Sequence, residues 1–310
     1  MRCASCAAAA VVDQPYRGRD LCALHFQRSV EERFRLEMRR QLPRRRSGTI
    51  AVALSGGKDS AVALALAHAY LAPIPGLRLI AISVDEGIGG YRPATLRAAA
   101  ELTGRLGVEH SIVRAEAEIG TTTDRAADRL PGTVPCAFCG VWRRRLLNRA
   151  ARDAGARALV VGFNLDDLAQ TVLMNLVRGD LDRLVRMSPH RIAQPGLVPR
   201  IAPLAGVPER EVYLYARLRG LPFDHGECPH AGRAARNRFR EIVWQLEEDQ
   251  PGTRQSLLRV HDRLVERWLA TDGLGSPGRC RSCGDPATGD LCRACEFLRM
   301  GAEPVPAGGS

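Results

Sequence analysis

The chain all but lacks lysine. Lys58 stands alone, which leaves 44 arginines among the 45 lysines and arginines. GC-rich codons for Arg and Ala account for the arginine excess, and they make the one surviving lysine conspicuous. Long apolar runs are missing too. No stretch reaches 18 uninterrupted apolar residues, so no transmembrane helix and no membrane partner are expected. The opening residues, Met1-Arg2-Cys3-Ala4-Ser5-Cys6, lack the apolar segment of a secretory signal. A cytoplasmic location is therefore expected. In that compartment disulfides are rare, so the ten cysteines read as metal ligands rather than staples.

What is present is ordinary globular composition: 310 residues, 45% apolar and 25% charged. That length supports a sizeable core plus small appendages. The formal net charge of +11 favours a polyanionic partner, because each neutralised phosphate releases counterions.

The pattern along the chain predicts an α/β protein with a parallel sheet and helices on both faces. Residues 49–54 (TIAVAL) form a continuous apolar run, as a doubly buried strand requires. Residues 59–70, 93–106, 139–154 and 165–177 read as helices. Residues 77–84, 111–113 and 158–162 read as strands, and the alternation gives parallel pairing. Residues 178–206 read as a loop or insertion. Further helices are expected over 209–219, 233–248 and 255–269. The expected division is an N-terminal cysteine module (1–27), a basic linker helix (28–47), a catalytic domain (48–232), C-terminal helices (233–272), a second cysteine module (273–298) and a tail (299–310).

Cysteines fall into three groups with none left over. Cys3-x2-Cys6 with Cys22-x2-His25, and Cys280-x2-Cys283 with Cys292-x2-Cys295, each supply four ligands in two chelating pairs. A closed set of four S/N ligands suits structural zinc, so two Zn2+ ions are expected. Each module is too short for its own apolar core, and metal binding would supply its folding energy. Rubredoxin-like iron is the alternative. Arg279, Arg281 and Arg293 stand ready to meet nucleic acid or simply to be solvated.

Ser55-Gly56-Gly57-Lys58-Asp59-Ser60 lies between a buried strand and a helix. Glycines let a backbone approach a ligand closely, and amides at a helix N-terminus point toward a bound anion. The loop does not match the Walker A pattern. The third cysteine group is Cys136-x2-Cys139 and Cys228. Three thiolates are too few for a closed zinc site. They suit a [4Fe–4S] cluster with one iron left open. A catalytic disulfide at Cys136/Cys139, or a third zinc completed by His225 or His230, also fits the residues.

The Ser-Gly-Gly-x-Asp-Ser loop resembles the PP-loop of the ATP pyrophosphatase superfamily, whose members adenylate a substrate oxygen. Taken together, the CxxC…CxxH module, SGGKDS, the central CxxC, GFNLDD (162–167), ECP (227–229) and the final CxxC…CxxC module resemble tRNA 2-thiolation enzymes of the two-zinc-finger type, over residues 1–298. That group includes enzymes of 5-methyluridine 54 and of the wobble uridine. The resemblance implies ATP contacts from Ser55, Gly56, Gly57, Lys58, Asp59 and Ser60, from backbone near Ala53 and Val84, and from Gly162. It implies a [4Fe–4S] cluster on Cys136, Cys139 and Cys228, and catalytic work by Lys58, Asp59, Arg143 and Asp167. Asp167 could hold Mg2+ or assist proton transfer, or serve only as a helix N-terminal acid. The implied partners are tRNA and a sulfur donor, either sulfide or a ubiquitin-like thiocarboxylate carrier. Relatives are often homodimers, but no interface is specified.

The chain departs from the family pattern at three places. Arg143 stands where the family often has Lys. Phe163 and Leu168 replace the His and Glu of a common GHNLDDE. A single lysine leaves little for isopeptide conjugation to a carrier. Thiolation of a small metabolite, and a non-catalytic zinc-finger RNA-binding role, are the competing readings.

Overall fold

The computed structural model describes residues 1–42, 47–187, 194–233, 236–271 and 275–302. Its centre is strand β3 (Gly48–Ala53), labelled in chain order after β1 (Val12–Gln14), β2 (Arg19–Leu21) and helix α1 (Ala23–Gln41). Ile50, Ala51 and Val52 are all buried, because β3 has layers on both faces. It pairs in parallel with β4 (Leu77–Asp85) on one side and β6 (Ala156–Val160) on the other. β4 pairs with β5 (Glu109–Arg114), and β6 with β7 (Arg200–Ile201), giving the order β5-β4-β3-β6-β7. The chain builds outward from β3 through β4 to β5. It then returns to the other side for β6. That reversal leaves a crevice at the carboxyl ends of β3 and β6, where open α/β sheets bind ligands.

Helix α2 (Lys58–Leu71) follows β3 and is rich in alanine. Ala61, Val62, Ala63, Leu64 and Ala67 are fully buried, so the helix is apolar nearly all round. Helices α3 (Arg92–Leu106), α4 (Ala115–Ile119), α5 (Thr123–Arg129) and α6 (Pro135–Asp153) come before β6. Helices α7 (Leu165–Val177) and α8 (Leu181–Arg186) lie between β6 and β7, and α9 (Glu209–Leu218) follows β7. Helices α10 (Arg236–Asp249) and α11 (Thr253–Thr271) pack on α7. The last module comprises β8 (Gly278–Arg279), β9 (Pro286–Ala287) and α12 (Arg293–Ala302).

Several boundaries differ from the sequence expectation. The basic helix starts at Ala23, inside the range expected for the first module. Its Phe26, Val30, Phe34 and Met38 recur every four residues and are buried in the main core. It is a packed element, not a solvated linker; residues 43–46 lie outside the described part. Buried Arg33 ion-pairs with buried Glu211 of α9. Gln14 and Tyr16 also donate to that carboxylate, at 3.0 and 2.6 Å, which ties the N-terminal module to the catalytic layers. Residues 178–206 hold α8 and the fifth strand, β7, with 188–193 outside the described part. Helix α12 runs into the expected tail as far as Ala302.

Candidate active site

The loop after β3 turns at Gly56, whose φ is +87°. A Cβ there would lie 1.9 Å from the Thr95 carbonyl oxygen, so only glycine fits. Ser60 Oγ donates to the Gly57 carbonyl (2.9 Å) and accepts the Ser55 N–H (3.1 Å), which closes the turn. Asp224 N–H donates to the Gly56 carbonyl at 2.9 Å. Gly162, just past β6, abuts the first turn of α2; a Cβ there would sit 2.9 Å from Ser60 N. The loop and Gly162 therefore meet at the sheet's switch point. Ala53 ends β3, and the carbonyl of buried Val84 accepts from the Arg92 guanidinium.

Charged groups line this crevice. Lys58 Nζ bonds Asp59 (3.0 Å) and Glu209 (2.8 Å). Burial opposes its charge, but the two carboxylates outweigh burial and raise its pKa. Asp59 also accepts from Asn164 Nδ2 at 2.9 Å. Asn164 and Asp167 form a reciprocal capping box on α7. Asp167 thus has the helix-start role, and its other oxygen meets Arg236 at 3.2 Å. Burial lifts the Asp167 pKa to about 6; Arg236 opposes the rise and Asp59 adds to it. Asp166 instead braces neighbouring helices, accepting Glu209 N–H (2.7 Å) and pairing with Arg254 (3.1 Å). A cavity of about 310 Å³ lies beside Glu209, with Asp166, Asn237, Arg240, Glu241 and exposed Trp244 in its wall.

The second half of the site is built on α6. Pro135 opens that helix and Cys136 and Cys139 occupy its first turn, so both thiols come from one helix end. Cys228 packs against the apolar cluster that contains Cys139, Ile88 and Phe138, and is near enough to Cys136 and Tyr91 for its charge to act on both. Among the described residues, only the two terminal groups converge on a point where a single ion would sit. His230 bonds Asp124 at 2.8 Å and His225 stacks on Phe223. Neither completes a third zinc site with the central thiols. Three cysteines with a wider separation suit a multi-iron cluster better than one ion. Thr123 is buried near Cys139, and its hydroxyl has no hydrogen-bond partner.

Arg143, one turn beyond Cys139, donates through Nη2 to Cys139 Sγ at 3.4 Å and through Nε to Glu86. Glu86 also pairs with Arg92 at 2.7 Å, and Arg92 donates to the Ser55 carbonyl at 2.9 Å. A continuous chain of contacts thus joins the phosphate loop to the cysteines. Sequence reasoning missed Glu86, Arg92, Asn164, Glu209 and Arg236. Glu86 and Arg92 lie between the strand expected over 77–84 and the helix expected over 93–106, and nothing in the pattern marked them as partners.

In the first terminal module, Cys3 and Cys22 Sγ lie 3.5 and 3.3 Å from His25 Nδ1, and Cys6 Sγ lies 3.8 Å from Cys22 Sγ. A backbone hydrogen bond from Cys22 pulls Cys3 down to about 6. In the last module, burial opposes ionisation of Cys280, yet backbone donors at Cys292, Cys283 and Ser282 outweigh it and also bring Cys280 to about 6. Both donor sets fit a tetrahedral thiophilic ion.

A phosphate loop at the switch point of a five-stranded parallel sheet defines a PP-loop nucleotide-binding protein. A PP-loop domain family model matches residues 25–247. Beyond that domain, the chain is 38% identical to the tRNA 2-thiolation protein NcsA of Haloferax volcanii, covering 96% of this chain and 98% of that one. It is 39% identical to the cytoplasmic tRNA 2-thiolation protein 1 of Bos taurus, over 96% and 87%. A solved U34-tRNA thiolase, NcsA from Methanococcus maripaludis with its [4Fe–4S] cluster, superposes with a TM-score of 0.84 at 33% identity over 96% of both chains. The chain belongs to the tRNA 2-thiolation family.

Proposed function

We propose that this protein is an ATP-dependent tRNA uridine 2-thiolase acting at the wobble position. The observation that carries the reading is the run of contacts from Ser55 through Arg92, Glu86 and Arg143 to Cys139. It supports a reading in which nucleotide chemistry and thiolate chemistry share one site.

The Ser55–Ser60 loop takes the phosphates of ATP with its amides, hydroxyls and Lys58. Asp167 would hold Mg2+, which would neutralise charge on the phosphates. The C2 oxygen of uridine attacks the α-phosphorus, and the bond to pyrophosphate breaks. Loop amides and Lys58 stabilise the charge that builds there. A sulfur nucleophile then forms a bond to C2, and the activated oxygen leaves as part of AMP. Cys136, Cys139 and Cys228 would hold a [4Fe–4S] cluster, which supplies an open iron for sulfur. The base must be exposed, and the cavity at Trp244 offers an indole face beside polar groups, as an unstacked base requires. The two terminal modules would hold zinc. The sulfur comes from sulfide or a thiocarboxylated carrier, and the protein works in the cytoplasm.

Mass spectrometry of nucleosides from tRNA, with and without the gene, tests this. Loss of one 2-thiouridine derivative on deletion, restored by the wild-type gene and not by Cys139→Ser, is expected. An unchanged profile would transfer the assignment to a small-molecule substrate. Absence of ATP-dependent AMP release with metals intact would favour a binding role.

A further inference from the structure

We propose that Glu86 is a positioning residue that holds Arg143 against the thiol of Cys139, so that Arg143 tunes the three-cysteine site and does not transfer protons. The inference rests on the cluster reading given above.

Glu86 is 3% exposed, just beyond the end of β4. Its backbone carbonyl accepts the Thr123 N–H at 2.7 Å, which pins the main chain. Its two carboxylate oxygens are divided: Oε2 faces Arg92 Nε and Oε1 faces Arg143 Nε. Arg92 cannot follow a moving partner, because Nη1 is held by the Ser55 carbonyl and Thr95 Oγ1, and Nη2 by the Val84 carbonyl. Glu86 is therefore held on its inner side by an ion pair without an aligned hydrogen bond, and presents one oxygen outward. Arg143, bound there through Nε, has Nη2 left to reach Cys139.

The charges agree with this geometry. One carboxylate lies between two guanidinium groups, so the triad carries a net positive charge. The buried Glu86–Arg92 pair is balanced, and the surplus cation is Arg143, at the solvent edge beside Cys139. A ligated thiolate at Cys139 supplies the missing anion. The buried Thr123 hydroxyl makes no hydrogen bond and is free to donate to an anion at this site. A guanidinium does not release its proton under physiological conditions, so Arg143 cannot act as the base a lysine could be at this place. Hydrogen bonds to ligand sulfurs instead shift a cluster's reduction potential. A cationic donor favours the reduced, more negative state and raises the potential.

The test uses full-length protein reconstituted anaerobically with ferrous iron and sulfide. Iron content, visible absorption and the midpoint potential are measured for wild type, Arg143→Met and Glu86→Gln. Arg143→Met is expected to load iron and to show a lower potential. Glu86→Gln is expected to show a lower potential too, although removing a negative charge would by itself raise it. A Glu86→Gln potential equal to or above wild type overturns the positioning role. An unchanged potential in Arg143→Met overturns the role of Arg143. That variant leaves the Glu86–Arg92 pair intact and changes a half-exposed side chain, so it decides the role of Arg143 even if Glu86→Gln does not fold; Glu86→Asp, which keeps the charge and shortens its reach, then tests the positioning, with a wild-type potential overturning it. Failure of wild type to take up iron would overturn the cluster reading itself, an outcome distinct from the other two.

Discussion

At the scale of single residues, the clearest pH signature belongs to Asp167. Burial raises its folded pKa to about 6, from an ordinary 3.8. The folded protein therefore binds this proton more tightly than the unfolded chain does. Stability contributed by the site is complete below pH 4 and falls as pH rises through 6. Above that, the metal-free protein carries a disfavoured carboxylate. Asp167→Asn should then stabilise the metal-free protein at pH 8, by up to roughly 2 kcal/mol, with the gain vanishing below pH 4. Thermal unfolding of both proteins across that range checks the sign. Under the proposed function the same variant should also weaken Mg2+-dependent AMP release, because a neutral amide is a poorer Mg2+ ligand than a carboxylate. The sequence displayed Asp167 and the loop glycines openly, since their spacing is local. Glu86 and Arg92 were not legible as partners of Ser55 and Arg143. Ion pairs between distant segments leave no period in the chain.

At the scale of elements, α6 has two working faces. Cys139 and Arg143 look toward the crevice. Phe138, Trp142 and Arg145 look toward the last cysteine module. Trp142 Nε1 donates to the Ala294 carbonyl at 3.3 Å, Phe138 meets Phe297 edge-on, and Arg145 pairs with Asp285 at 2.8 Å. The C-terminal module thus braces the helix that carries two of the central cysteines. Trp142→Ala removes a nearly fully buried indole and should cost about 3–5 kcal/mol. Iron bound per chain after reconstitution should fall, while ATP binding at the phosphate loop should persist. Equal loss of both would mean general unfolding and no selective brace. Helix α7 and the central strands were readable because they are long and continuous. Strand β7, with two residues, and the short α4, α5 and α8 give too few positions for a period to emerge.

At the scale of the whole molecule, charge decides how a tRNA would be held. The chain carries +11 with almost all of its cations as arginine, and arginine binds phosphate with a planar fork. Many of those guanidinium groups are already committed inside the protein, Arg33, Arg92 and Arg145 among them, so net charge overstates what is free. The salt dependence of tRNA binding counts the groups that do reach phosphate. Six or more such contacts would lower affinity about a thousand-fold between 50 and 200 mM salt. Stacking of a base on Trp244 is different in kind, since an indole face carries no counterion to release. Trp244→Ala should therefore weaken binding by a similar factor at every salt concentration and leave the slope unchanged. Filter binding or fluorescence anisotropy across a salt series separates the two effects as slope and offset. A flat response in the wild type would rule out phosphate contacts as the hold on tRNA. A changed slope with no common offset in Trp244→Ala would remove the indole from base recognition and reduce its cavity to a surface feature.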